Sequence, residues 1–279
     1  LPEHELALLT EAARTAGEIA LRWWRKPVQV WDKPGGAGPV SAADLAVNAA
    51  LAQMLRGARP DYGWLSEESA DSAGRLAAPR SFIIDPIDGT RSFLAGQDGF
   101  AHSLAVTEAG RVIAAVVFLP ARGALYAATA GGPALKNGLP ISAAANRPLA
   151  GAEVLTTAAS SDPALWHDDQ PPLWRRAFRP AIAWRLCLVA EGRFDAMLSL
   201  RPTWEWDSAA GSLIAERAGA TVTDRTGAAL GFNRPHPQAC GLIAAPPALH
   251  AEIMGRLRPE DQPGAPAASN TPSNSTDDR

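Results

Sequence analysis

The stretch Ile84-Asp85-Pro86-Ile87-Asp88-Gly89-Thr90 decides how this chain is read. Ser81 to Ile84 predict a short apolar strand ending on Asp85, and two carboxylates then stand three apart around a proline. Pro86 holds its own φ near about −65°. Gly89 permits a backbone geometry or a close approach that a side chain would obstruct. A helix starting after Gly89 would aim its free N–H groups at the place the carboxylates reach. Oxygen ligands for hard divalent cations would then stand beside a helix terminus that receives phosphate. Asp-Pro and Asp-Gly are also ordinary turn pairs, and taken alone the stretch reads more readily as a tight turn.

Acidic residues elsewhere shift that balance. Glu67 and Glu68 precede the strand and can reach its C-terminal end across a short crossover. Asp207 lies in Trp206-Asp207-Ser208-Ala209-Ala210-Gly211, where a strong helical pattern over Ser208 to Ala218 begins, so its local role is that of a helix N-cap. Ser41 and Asp44 have capping-box spacing, with Asp in place of the usual Glu or Gln. Lys33 falls beside the glycine-rich loop from Pro34 to Pro39 and, by itself, reads as a solvated lysine.

The whole chain has 279 residues, 47% of them hydrophobic, and a formal net charge of −3. That length supports one large domain or two modest ones. The acidic balance argues against a nucleic-acid polymer or an anionic membrane surface as main partner, since both reward clustered Lys and Arg. A small anionic substrate stays compatible, because bound divalent ions reverse the local field. Cys187 and Cys240 belong to no CxxC or Cys/His cluster and read as thiols in a reducing compartment. No apolar run is long enough to span a membrane, and the N-terminal residues show no basic, cleavable leader pattern. The expected location is the cytoplasm, or the inner membrane surface as a peripheral protein.

Apolar residues from Glu5 to Trp24 recur at three and four and predict a helix, and a second helix starts at Ser41. Tyr62 to Leu65 lead toward the acidic pair. Ala101 to Thr107 and Arg111 to Leu119 predict a hairpin, and Leu125 to Thr129 a further strand. Beyond these lie a strand over Glu153 to Ala158, a helix over Ala183 to Ala190 and a strand over Phe194 to Leu198. The pattern closes with strands over Thr221 to Thr223 and Ala239 to Ala244 and a helix over Pro247 to Leu257. The expected units are 1–145, an N-terminal α/β domain with most of the acidic residues, and 146–257, a C-terminal α/β domain supplying Asp207. A disordered Pro/Ser/Asn/Thr-rich tail over 258–279 completes the chain.

Three separated motifs, Ser66 to Ser69, Asp85 to Thr90 and Trp206 to Gly211, together resemble the signature of the inositol monophosphatase superfamily, over roughly residues 5 to 257. The resemblance implies an α/β fold of alternating α/β/α/β/α layers, phosphomonoester hydrolysis, two or three Mg2+ ions and often a homodimer. It implies that Glu67, Asp85, Asp88, Asp207 and the carbonyl of Ile87 hold metal, with Asp85 bridging two ions. Asp44 and Thr90 match the pair that orients and deprotonates the attacking water, with Glu67 beside it, while Gly89 and Thr90 face the phosphate. Such a site needs no Ser, Cys or His nucleophile. Two cations neutralise phosphate oxygens, acidify water and stabilise the departing oxygen. His102 reads as structural or supporting.

The expected substrate is a small phosphorylated metabolite. Arg201-Pro202-Thr203-Trp204-Glu205-Trp206-Asp207 and Cys187 to Gly192 resemble the CysQ-like 3'(2'),5'-bisphosphate nucleotidase branch, which acts on adenosine 3',5'-bisphosphate. Lys33, Asp88, Arg185 and Glu205 are the further substrate-contact candidates, and Trp184 either stacks on a base or fills the core. Ala183-Trp184-Arg185-Leu186 stands where that branch carries a Ser-Ser-Leu-Lys segment, so Arg185 can replace the lysine's charge, and Arg91-Ser92-Phe93 is also reminiscent of histidinol-phosphate phosphatases. An inositol, sugar or histidinol phosphatase is the catalytic alternative. A metal-dependent phosphate-binding module without turnover is the non-enzymatic one.

Overall fold

A computed structural model describes residues 1–33, 35 and 38–259. Of the expected tail, 260–279 lie outside the described residues. The chain opens with α1 (Pro2–Trp23), which carries proline in its first turn and buries Leu9, Ala12, Ala13, Ala16 and Ala20. A short hairpin, β1 (Val30–Asp32) and β2 (Pro39–Ser41), leads into α2 (Ala42–Ala58). Ser41 caps α2 and Asp44 returns the bond to the Ser41 amide, so the capping box forms with Asp at its third position.

Seven strands follow in one sheet: β3 (Gly63–Ser66), β4 (Arg80–Asp88), β5 (Ala101–Glu108), β6 (Arg111–Leu119), β7 (Ala124–Thr129), β8 (Leu135–Lys136) and β9 (Leu139–Pro140). β3 and β4 run parallel and the later neighbours antiparallel. The five-residue helix α3 (Thr90–Leu94) follows β4 directly.

β10 (Glu153–Leu155), β11 (Arg175–Ala177), α4 (Ile182–Ala190) and β12 (Ala196–Ser199) begin the second half. β13 (Thr203–Trp204), α5 (Glu205–Arg217), β14 (Thr221–Thr223), β15 (Gln238–Ala239), β16 (Leu242–Ala245) and α6 (Pro247–Arg256) complete it. The second sheet has the order β11-β10-β12-β16-β14, while β13 and β15 pair separately.

Layering follows from which faces are apolar. α1 and α2 pack on one face of the seven-stranded sheet around Phe82, Ile84, Phe100 and Leu104. The other face meets α4 and α5, whose residues share a cluster with Tyr126, Met197 and Leu242 from both sheets. The far side of the second sheet is closed by α6 and by Trp166, which is fully buried. The order is α/β/α/β/α, and the interior runs continuously past residue 145 because α4 and α5 are apolar on both sides. α4 accordingly buries all nine of its residues, as expected of a helix between two sheets.

Several elements differ from the sequence reading. The strand expected over Ala239 to Ala244 is split into β15, which pairs with β13, and β16, which joins the five-stranded sheet. β4 does not stop at Asp85 but continues to Asp88 through a register shift against β5. The strand expected over Glu153 to Ala158 ends at Leu155, and a 3-10 turn takes Ala158–Ser161. α5 begins at Glu205 rather than Ser208, so Asp207 lies within the first turn instead of capping it.

Candidate active site

The register shift in β4 assembles the acidic centre. Residues three apart on a regular strand point to opposite faces. Asp85 pairs with Ser103 but Asp88 with Ala101, so one extra residue is accommodated between them and the strand bulges at Pro86 and Ile87. Proline suits that position because a bulge leaves an amide without a ladder partner. The freed groups find other partners. The Ile87 amide donates to Asp85 Oδ1 at 3.0 Å, and the Ile87 carbonyl accepts from Thr90 Oγ1 at 3.1 Å. The Pro86 carbonyl faces His102 Nδ1. A carbonyl only accepts, so Nδ1 carries the proton, and burial holds the His102 imidazole down at about 4, neutral at physiological pH.

Gly89 then turns the chain into α3 with φ +93°. A Cβ there would stand 3.1 Å from the Gly99 carbonyl, so both the dihedral and the space favour glycine.

Glu67 leaves the end of β3, its amide donating to the Ile84 carbonyl, and Asp207 arrives on the first turn of α5. Carboxylate oxygens of Glu67, Asp85 and Asp207 all lie within 4.8 Å of one another. Burial, reinforced by the neighbouring carboxylates, pushes Asp85 and Asp207 well above the ordinary range. Asp88 is outside this group of three: its Oδ2 accepts from the Ala183 amide at 2.7 Å, in the first turn of α4. Burial drives Asp88 up to about 7, against the pull of that amide and of Arg185.

Lys33 inserts its ammonium between Glu67 and Glu68, 2.6 Å from an oxygen of each. Burial would lower the lysine, but the two carboxylates outweigh it and raise it. Burial pushes Glu68 up to about 7, with Lys33 opposing. An all-oxygen set of crowded carboxylates, relieved by a single lysine, has the chemistry of a site for a hard divalent cation. Glu67, Asp85 and Asp207 are the residues that would hold it.

Asp44 combines both readings of its sequence position. Its Oδ2 accepts from the Ser41 amide at 2.9 Å and from Ser41 Oγ at 2.5 Å, which fixes the helix start. Its Oδ1 accepts from Thr90 Oγ1 at 3.1 Å. Burial, only partly offset by these bonds, raises the Asp44 carboxyl above its usual value. A proton acceptor thus stands behind a hydroxyl at the edge of the acidic centre.

The centre opens into a cleft of about 690 Å³ lined by Lys33, Glu67, Glu68, Arg91, Arg201, Trp204, Trp206 and Asp207. Trp204 and Trp206 stack with centroids 4.6 Å apart and planes 10° from parallel. Arg201 also lines a smaller pocket of about 170 Å³ with Arg185, Ser160 and Ser199. Arg185 is 5% exposed, and its partners are neutral: the carbonyls of Arg179 and Pro180 and the ring of Phe178. Burial lowers it to about 10. Glu205 lines neither pocket; its carboxylate accepts from the Asn233 and Arg234 amides. Trp184 packs in the core under the guanidinium of Arg122. The sequence reading passed over Arg91 and Arg201 as cleft residues; their positions beside Thr90 and six before Asp207 were the available signals.

A layered fold of this order, with a carboxylate centre at a strand bulge, belongs to a class of metal-dependent phosphomonoesterases. The inositol monophosphatase family matches over residues 2–262, and the chain belongs to that family. It is therefore a phosphoric monoester hydrolase. Among curated relatives, an inositol-1-monophosphatase of Rhizobium meliloti is 36% identical over 204 residues, covering 69% of this chain and 74% of the relative. The Nus factor SuhB of Escherichia coli K12 is 30% identical over 266 residues, covering 91% and 96%. Of solved structures, the extragenic suppressor protein SuhB of Bartonella henselae superposes with TM-score 0.76 at 27% identity, covering 90% of this chain and 97% of that one. A Thermotoga maritima IMPase gives TM-score 0.76 at 25% identity, covering 91% and 96%. No described helix is long and apolar enough to cross a membrane.

Proposed function

We propose that this phosphatase uses two or three magnesium ions and hydrolyses a phosphomonoester that carries a second anionic group, a nucleoside 3',5'-bisphosphate such as adenosine 3',5'-bisphosphate. The observation that carries this reading is Arg185. Among the described residues neither it nor Arg201 forms an ion pair, yet Arg185 is buried beside a small pocket that shares Arg201 with the main cleft. Burial of Arg185 outweighs the pull of the Asp88 and Asp207 carboxylates beyond ion-pair distance, so an anion in that pocket would add the close counterion the guanidinium lacks. The stacked Trp204 and Trp206 offer an aromatic wall for a base. The second reading is inositol 1-phosphate, favoured by the name of the Rhizobium meliloti relative.

In this proposal Glu67, Asp85 and Asp207, with Asp88 and the Ile87 carbonyl beside them, would hold the cations, while Asp88 Oδ2 also ties the centre to α4. Divalent cations bound there would supply charge neutralisation for the phosphate and acidity for water. Thr90 Oγ1, whose own proton points to Asp44 or the Ile87 carbonyl, presents a lone pair to the attacking water. Asp44, raised by burial, takes the proton. Lys33, paired with Glu67 and Glu68, would balance phosphate charge once a cation takes over Glu67.

The test is phosphate release from adenosine 3',5'-bisphosphate and from inositol 1-phosphate with Mg2+, in the wild type and in Arg185→Met. The bisphosphate is expected to be preferred at least ~10-fold in kcat/KM, about 1.4 kcal/mol, with Arg185→Met abolishing the preference. A preference for inositol phosphate by that factor establishes the second reading. Absence of turnover on both substrates, with Mg2+ bound, refutes the proposal.

A further inference from the structure

Glu205 is 1% exposed and stands two residues before Asp207. Its carboxylate accepts from the Asn233 amide at 2.6 Å, the Arg234 amide at 3.1 Å and Arg234 Nε at 3.4 Å, while its own amide donates to the Pro237 carbonyl. The start of α5 is thus hung on the 233–237 segment. Asn233 sits there at φ +58°, a left-handed conformation that non-glycine residues adopt at a cost.

The same segment is gripped from the opposite side by Arg75, which is 3% exposed. Nη1 donates to Asn233 Oδ1 at 2.7 Å and Nη2 to the Arg234 carbonyl at 2.9 Å, while Asn233 Nδ2 donates back to the Arg75 carbonyl. Asp71 accepts from Nε at 2.6 Å and from Nη2 at 2.9 Å, locking the guanidinium plane. Asp71 is four residues beyond Glu67.

The chain of contacts Asp71–Arg75–Asn233/Arg234–Glu205 therefore begins four residues after one carboxylate of the acidic centre and ends two residues before another. Glu67 and Asp207 come from segments far apart in sequence, yet their oxygens must stay within 4.8 Å of each other against mutual repulsion. No bond between them can do this; a scaffold behind them can.

We infer that Arg75 and Glu205 are positioning residues that hold Asp207 against Glu67 and Asp85 and so set the affinity of the centre for a divalent cation, Glu205 serving in this way rather than as a substrate contact. The inference rests on the cation-binding reading of that centre. Substitution of groups that orient metal ligands commonly weakens metal binding about 10–100-fold.

The experiment titrates Mg2+ into the metal-stripped full-length protein by calorimetry, for wild type, Arg75→Met, Glu205→Gln and the milder Asp71→Asn. Kinetics at saturating Mg2+ and unfolding midpoints in chelator accompany it. Expected are Kd values about 10-fold or more above wild type for Arg75→Met and Glu205→Gln and a few-fold for Asp71→Asn, with substrate KM unchanged once Mg2+ saturates. Unchanged Kd with a lowered unfolding midpoint would reduce the network to fold stability and overturn the inference. A raised KM for Glu205→Gln at saturating Mg2+, with Kd unchanged, would return Glu205 to substrate contact and overturn it equally. If the two buried variants fail to fold, Asp71→Asn decides, because Asp71 is 44% exposed and its loss loosens only the outer anchor. Wild-type protein that binds no Mg2+ would instead remove the cation-binding reading itself.

Discussion

Replacing Asp44 by Asn separates the two tasks of that carboxylate. In the wild type Oδ2 serves Ser41 and Oδ1 serves Thr90. An asparagine can turn its oxygen to the Ser41 amide and hydroxyl and its NH2 to Thr90 Oγ1. Thr90 then accepts from residue 44 and donates to the Ile87 carbonyl, which already lies 3.1 Å away. A hydrogen bond survives at each of the three contacts, but all three lose charge assistance, at about 0.5–1 kcal/mol each. Relief of the burial that raises the Asp44 carboxyl offsets part of that loss. The expected loss in unfolding free energy is about 1–2 kcal/mol, measured by urea titration. What the amide cannot do is take a proton. Loss of a positioned general base costs about 100- to 10,000-fold, or about 3–5 kcal/mol of transition-state stabilisation. The assay is steady-state phosphate release at saturating Mg2+ and substrate. A kcat within ~10-fold of wild type refutes the role assigned to Asp44, as does a loss of activity that merely tracks unfolding.

Other outcomes follow from single contacts. A Cβ on Gly211 would lie 2.6 Å from Leu186 Cδ1 and 2.7 Å from its Cβ, between α4 and α5. Gly211→Ala should destabilise by about 1–2 kcal/mol in urea, overpacking outweighing about 1 kcal/mol of helix propensity; a stabilised variant contradicts the packing. Gly89→Ala combines φ +93° with a tight contact, and both activity and thermal midpoint should fall; an unchanged midpoint would show the turn to be relaxed. His102, held near 4 in the folded state, contributes stability present above its ordinary value near 6.5 and lost as pH falls toward 4. The full effect is about 3 kcal/mol. His102→Asn should remove that part of the acid slope in unfolding experiments between pH 7 and 4; identical slopes in both proteins would place a charged imidazole in the fold.

Local chemistry was legible without coordinates. The capping box needs only Ser41 and Asp44 three residues apart, and the 101–119 hairpin needs two apolar runs around Glu108, Ala109 and Gly110. Three of the acidic residues that converge, Glu67, Asp85 and Asp207, stood in short motifs whose residue types already pointed to phosphate chemistry. Tertiary structure decided what depends on partners distant in the chain. The bulge at Pro86 and Ile87 exists only in register with β5, and the start of α5 at Glu205 only through Pro237, Asn233 and Arg234. Lys33 finds Glu67 and Glu68 across 34 and 35 residues, and Arg75 finds Asn233 across 158. The reason is physical. Backbone propensity and capping act within a turn or two of helix, whereas desolvation and charge at a buried centre depend on which distant segments the packed layers bring together.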